Sequence, residues 1–316
     1  MKYLVIVFYL IISTVGLSAQ ERSIELDLDY LLSNFVLYVT EDHFIALDRQ
    51  IPACYIFSKE TGEFIKEINP MDTFPGFNWQ PIQLEVLRDD IFFTNSAPWA
   101  FLISKNNDSV RVFDKSFLPP SGFKFITDST FVGFYTEKNG SHSLKTYNTK
   151  GEMLIDFEVP DLNAKNMLYR VSNFYIHQFE DKIYFINPLD NVLYKYSQNG
   201  ELLGSVVIHI PSFNKITRDI NPSKNPHQVI GEVVKSLRTN STIQSSYKLD
   251  ESHLLLIVKH KNNATELVVF NTKDERITKV EEILDGKTPW YVFKNKFYYV
   301  YPSEENYTIH EKVFHY

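Results

Sequence analysis

A polar turn followed by an apolar strand recurs six times along this chain, and that repeat constrains the fold more than any single motif. The first apolar residues of the six strands are Phe44, Ile91, Phe131, Ile183, Leu254 and Phe297, separated by 47, 40, 52, 71 and 43 positions. The first five are followed by a second signal: an aromatic-rich strand, a tight turn and another strand, as in Cys54–Glu67, Leu144–Phe157 and Leu193–Val206. Thr61-Gly62, Lys150-Gly151 and Asn199-Gly200 supply the turns, because glycine reaches the positive φ that two-residue hairpins require. Tyr and Phe dominate the flanking strands, as a pleated, half-buried surface favours.

Each unit therefore reads as four short antiparallel strands, A to D. The expected A strands are Phe35–Thr40, Pro81–Leu87, Gly122–Thr127, Ser172–Phe179, Ile243–Leu249 and Thr288–Phe293. Six such units predict an all-β chain folded as a six-bladed β-propeller of four-stranded antiparallel blades. The sixth unit lacks one strand, while Ser23–Asp29 alternates cleanly and has no unit of its own. Pairing this N-terminal strand onto the last blade would close the ring and cover its open edge. Phe44-Ile45-Ala46-Leu47-Asp48, Tyr55-Ile56-Phe57, Thr61-Gly62-Glu63-Phe64-Ile65 and their later echoes resemble the six-bladed NHL-like and TolB-like propellers of exported bacterial proteins. That resemblance implies an architecture and leaves activity open, since such propellers include binding scaffolds and enzymes.

Residues 1–19 read as a secretory signal peptide, with a basic start at Lys2, an apolar run from Leu4 to Leu17 and cleavage after Ala19. Residues 20–316 form a single domain with an insertion at 211–240, and no later stretch is apolar enough to span a membrane. The expected location is periplasmic or extracellular. Loss of the leader leaves 31 basic against 39 acidic residues, which argues against nucleic acid as a partner. One cysteine, Cys54, excludes an internal disulfide and any cysteine-based metal site.

In a propeller the A–B and C–D turns share one face, and the B–C loops and D–A crossovers share the other. Here the second set is longer and more varied, which marks it as the expected working face. The crossover between units four and five spans Pro211–Asn240 and carries a helix opened by Asn225 and Pro226, with Val229, Ile230, Val233, Val234 and Leu237 on one face. Candidate ligand-binding residues on this face are Arg49, Trp79, Trp99, Lys215, Arg218 and Trp290: cations for an anionic group, indoles for stacking on a sugar or anchoring a partner's side chain. The bland alternative is that each Trp fills a gap between blades and each charge is solvated.

No Gly-rich phosphate loop, G-x-S-x-G elbow or H-E-x-x-H motif occurs. Among carboxylates and histidines, the expected A strands offer the central channel only Glu85 and His177, too few for a metal cage, so no metal and no cofactor are expected. The reading is a non-catalytic binding protein for a protein or glycan. A lyase or hydrolase with a channel site is the alternative, and a structural role in the cell envelope a third. Four or more polar side chains in the channel would favour the enzyme; a dry, aromatic-lined mouth would favour binding.

Overall fold

The computed structural model describes residues 21–27, 35–48, 50–51, 53–69, 72, 81–87, 90–95, 100–104, 110–112, 122–136, 142–157, 175–216, 226–261, 264–283, 288–302 and 306–316. The expected signal peptide lies outside these residues.

The chain opens with β1 (Glu21–Leu26) and then builds its sheets in order. The first contains β2 (Phe35–Val39), β3 (His43–Asp48), β4 (Cys54–Ser58) and β5 (Phe64–Ile68). The second contains β6 (Pro81–Leu87), β7 (Asp90–Asn95), β8 (Ala100–Ser104) and β9 (Val110–Val112). The third holds β10 (Gly122–Phe125), β11 (Thr130–Thr136), β12 (His142–Asn148) and β13 (Met153–Phe157), and the fourth β14 (Tyr175–Phe179), β15 (Lys182–Asn187), β16 (Val192–Ser197) and β17 (Leu202–Val207). After helix α1 (Pro226–Thr239) come β18 (Thr242–Lys248), β19 (His253–Lys259), β20 (Thr265–Asn271) and β21 (Arg276–Ile283), then β22 (Tyr291–Phe293), β23 (Lys296–Pro302) and β24 (Tyr307–Val313).

Each sheet has four antiparallel strands in chain order, except the last, which runs β1-β24-β23-β22. The first strand of the chain is thus the outer strand of the last sheet, with Glu21 opposite Lys312 and Leu26 opposite Tyr307. Its pairing is as expected, although the strand begins two residues earlier than the alternation at Ser23 indicates. The innermost strands meet in a closed circuit: β2 with β6, β6 with β10, β10 with β14, β14 with β18, β18 with β22 and β22 with β2. The architecture is a β-propeller of four-stranded antiparallel blades, mostly strand with one helix among the described residues.

The apolar strands B explain the packing. A strand buried on both faces reads as a continuous apolar run rather than an alternating one. Phe44 and Ala46 of β3 pack toward the last blade, in a cluster with Tyr298 and Ile309, while Ile45 and Leu47 pack toward the second blade, against Leu84 and Ile91. The same division puts Leu254 and Leu256 of β19 with Ile186 and Leu193, and Leu255 and Ile257 with Val292 and Phe314. Each cluster is therefore a seam between neighbouring blades, and the core is a ring of seams around a channel.

Gly62, Gly151 and Gly200 have φ of 81°, 88° and 86°, as their hairpin turns require. A register shift follows these turns at Ile56/Phe57, Thr146/Tyr147 and Lys195/Tyr196, and recurs at Val269/Phe270. The repeat thus carries its bulge as well as its turn. Helix α1 starts at Pro226 as the capping signal indicates, but Val234 is 40% exposed, so the expected apolar face is not buried along its whole length. The side chains of Val229, Ile230 and Val233 lie outside those described.

Candidate functional site

The six innermost strands enclose a cavity of about 980 Å³. That is at the upper end of the roughly 300–1,000 Å³ typical of small-molecule sites. Its walls carry one polar side chain from each blade at a shared register. Tyr38 pairs with Ile45, Glu85 with Phe92, Lys124 with Val132 and His177 with Tyr184. Tyr247 pairs with Leu255 and Tyr291 with Tyr298. In every unit the partner is the residue after the first apolar residue of strand B. The recurring turn fixes the pairing, the pairing fixes the level, and so six side chains of different chemistry share one tier.

Contacts run around this tier. The Tyr38 hydroxyl donates to Glu85 Oε2 at 2.8 Å, and Lys124 Nζ donates to both carboxylate oxygens of Glu85 at 2.9 Å. Tyr291 donates to Tyr38, and their ring centroids are 4.9 Å apart. Tyr247 meets Tyr291 edge-on at 5.7 Å. His177 Nε2 lies 2.6 Å from Ser246 Oγ of the next blade.

The electrostatics follow from this arrangement. Burial lowers the proton affinity of Lys124, but the adjacent Glu85 outweighs it and holds the ammonium above its ordinary value. Burial first, and then the Glu85 charge, push the Tyr38 phenol well up. Burial likewise raises Tyr247, and burial with its neighbours Tyr38 and Glu85 raises Tyr291. Burial, reinforced by the positive charges of Lys124 and Lys248, pulls the His177 imidazole down to about 3. At neutral pH the tier therefore holds a neutral imidazole, three neutral phenols and one ion pair.

Above and below the tier the cavity changes character. Trp290 and Val36 line it at the crossover end, and Lys248, Asp250, Glu251, Lys294 and Asn295 at the A–B turn end. The space reaches the turn face as well as the face expected from loop length. Trp290 is 48% exposed and packs on Phe35 of the neighbouring blade with centroids 5.2 Å apart, so it both fills a seam and faces the channel.

Of the residues singled out from sequence, Glu85, His177 and Trp290 line this one cavity. Lys215 is exposed on the crossover, where its charge acts on the half-buried Asp190, and is not among the lining residues. Arg49, Trp79, Trp99 and Arg218 lie outside the described residues. Sequence reasoning missed Tyr38, Lys124, Tyr247 and Tyr291. Their signal was the register: each stands on an A strand at the position that Glu85 and His177 occupy in their own units.

A second polar cluster ties the crossover to the fifth blade. Ser241 Oγ lies 2.9 Å from His260 Nδ1, His260 Nε2 lies 2.9 Å from Glu266 Oε2, and Ser212 Oγ donates to Glu266 Oε2 at 2.8 Å. The residue types are those of a hydrolytic triad, but Ser241 is only 1% exposed and its hydroxyl accepts the Asn214 N–H at 2.9 Å. No substrate carbonyl can reach it, and the cluster works as a fastening. Among the described residues no group of three or more His, Cys, Asp or Glu is placed to hold a metal ion. No helix among them is long and apolar enough to cross a membrane.

No protein-family model and no curated protein matches the chain. Among solved structures, it is similar to a protein of Bacteroides fragilis NCTC 9343 whose name calls it exported. The TM-score is 0.62 at 12% identity, covering 93% of this chain and 95% of that one. It is similar to a member of the DUF4221 family from Bacteroides vulgatus, with TM-score 0.58 and 13% identity over 93% and 96% of the two chains. It also resembles the WD40 repeats of RRP9, with TM-score 0.51 and 9% identity over 83% and 66%. At these identities the likeness establishes the fold, a β-propeller.

Proposed function

We propose that the chain is an exported, six-bladed, non-catalytic binding protein that recognises a protein or glycan through its channel mouth and the B–C/D–A loop face. The observation that carries this reading is that the channel's ionisable groups are already occupied by one another. A general acid or base works best with a pKa near the operating pH. His177 sits far below that range and bonds Ser246, while Glu85 is gripped by Lys124 and Tyr38. The surrounding walls set Phe123, Phe125, Phe293 and Trp290 beside the three tyrosines. Such walls offer contact area at little cost in side-chain entropy.

One observation favours the lyase or hydrolase reading: the tier holds six polar side chains, and Glu85 and His177 face one cavity. Thermal unfolding of residues 20–316 with oligosaccharides, divalent cations and EDTA separates the two. A ligand at 100 times its dissociation constant stabilises by roughly 2.7 kcal/mol. That amounts to several degrees in a domain of this size. A sugar-dependent rise insensitive to EDTA supports the binding reading. A calcium- or zinc-dependent rise abolished by EDTA sinks it and turns attention to metal-assisted chemistry in the channel.

A further inference from the structure

From the composition of the tier and the charge balance of its cavity, we infer that the channel is a subsite for a neutral, polyhydroxylated ligand: one or more uncharged sugar units held beside Tyr38, Glu85, Lys124 and Tyr291. The inference rests on the binding reading and names the ligand class and the place. Seven lining residues carry ionisable acid or base groups other than phenols. Lys124, Lys248 and Lys294 stand against Glu85, Asp250 and Glu251, with His177 neutral, so the lining side chains sum to no net charge. Each of the six charged groups also has a local partner. Lys124 bonds Glu85 at 2.9 Å, Lys248 bonds Glu251 at 2.8 Å, Lys294 pairs with Glu41, and Asp250 accepts from the Tyr316 hydroxyl at 2.7 Å. An anion drawn toward Lys124 would meet Glu85 at the same place, and a cation drawn toward Glu85 would meet Lys124. Either would lose its hydration without an unmatched partner to replace it.

A sugar hydroxyl has the opposite balance. It both donates and accepts, and it gains charge-assisted hydrogen bonds from a carboxylate and an ammonium side by side without having to separate them. The apolar faces of a pyranose need flat partners, and the same walls supply Tyr38, Tyr247, Tyr291 and Trp290. A purely aromatic channel would suit an apolar ligand, and an unpaired lysine cluster an anion. Matched charges set among aromatic rings suit a neutral carbohydrate.

The test is calorimetric titration of residues 20–316 with three matched probes: neutral chito-oligosaccharides and gluco-oligosaccharides, anionic oligogalacturonides, and cationic chitosan oligomers. The expected result is binding of a neutral probe over its charged counterparts. Glu85→Gln or Tyr291→Phe then weakens that binding about tenfold or more, through the loss of a charge-assisted hydrogen bond in the first and of a neutral one in the second. Because Glu85→Gln leaves Lys124 without its counter-charge and can unsettle the fold, Tyr247→Phe is the third variant. It removes one hydroxyl from the tier, and circular dichroism verifies that it folds. Preference for a charged probe overturns the inference. Neutral-sugar binding untouched by all three substitutions also overturns it, while leaving a loop-face binding protein intact. Failure of every sugar overturns it too, and leaves only the protein-partner form of the binding reading.

Discussion

His177 shows how much one position settles about the channel. It is 7% exposed, bonds Ser246 across a blade boundary, and lies near the cationic side chains of Lys124 and Lys248. Its folded pKa of about 3 lies below the ordinary value of 6.5. The folded state thus resists the proton that the unfolded chain accepts. The stability this contributes is complete above pH 6.5, declines as the pH falls, and is gone below about 3. At pH 5 the loss amounts to roughly 2 kcal/mol, since each pKa unit corresponds to about 1.4 kcal/mol. Asp190 acts in the opposite sense: burial raises its carboxyl to about 6, so its contribution fades as pH rises from 3.8 toward that value. Urea unfolding of the parent and of His177→Gln at pH 7 and pH 5 isolates the imidazole, because Asp190 is common to both. The parent should lose more stability between the two pH values than the variant does. Equal losses would mean that His177 is protonated in the fold, and the neutral-tier description would fail.

At the scale of single elements, the strands and the start of the crossover helix were legible, and the bonds that fasten the crossover were not. Strand B announced itself because two buried faces demand an unbroken apolar run, as in Leu254-Leu255-Leu256-Ile257. The hairpins announced themselves because Gly62, Gly151 and Gly200 occupy a region of φ closed to most residues. The A strands hid their tier, because a search for carboxylates and histidines passes over Tyr38, Lys124, Tyr247 and Tyr291, which read as ordinary strand residues. Only the register shared with Glu85 and His177 brings them together. The crossover's fastening was hidden for another reason: Ser212, Ser241, His260 and Glu266 are spread over 55 residues and meet only when blade five forms. Ser241→Ala takes the Ser241 hydroxyl away from the Asn214 N–H and from His260 Nδ1, at a cost of roughly 1–3 kcal/mol. The loss should be local. Hydrogen exchange at the amides of Asn214 and Ser241 should accelerate, while exchange along β19 stays slow. Uniform acceleration would show that the cluster supports the whole blade rather than pinning the crossover.

For the molecule as a whole, the decisive junction is where the two ends of the chain meet. A propeller stacked from local blades still has to join its first blade to its last, and here β1 supplies the join. Ile24 and Leu26 are 4% and 0% exposed, in one seam with Phe44, Tyr55 and Tyr298. Gly62 holds the turn of the first blade against this strand. Its carbonyl accepts the Asp27 N–H at 3.1 Å, and a Cβ there would overlap the carbonyl oxygen of Glu25. Arg22 reaches the carbonyl of Glu60 in the same turn. A chain begun at residue 28 loses two buried aliphatic side chains, worth about 1.5–3 kcal/mol each, together with the hydrogen bonds of a six-residue pairing. It also bares β24 as an unpaired edge, which invites association with other chains. We expect its melting temperature to fall by several degrees or more and its sedimentation profile to broaden toward oligomers. A synthetic peptide of residues 20–28 should restore both when added in excess, because the edge of β24 and the seam beneath it remain shaped for that strand. A truncated chain that stays monomeric and melts with the parent would mean that the other seams alone hold the ring closed.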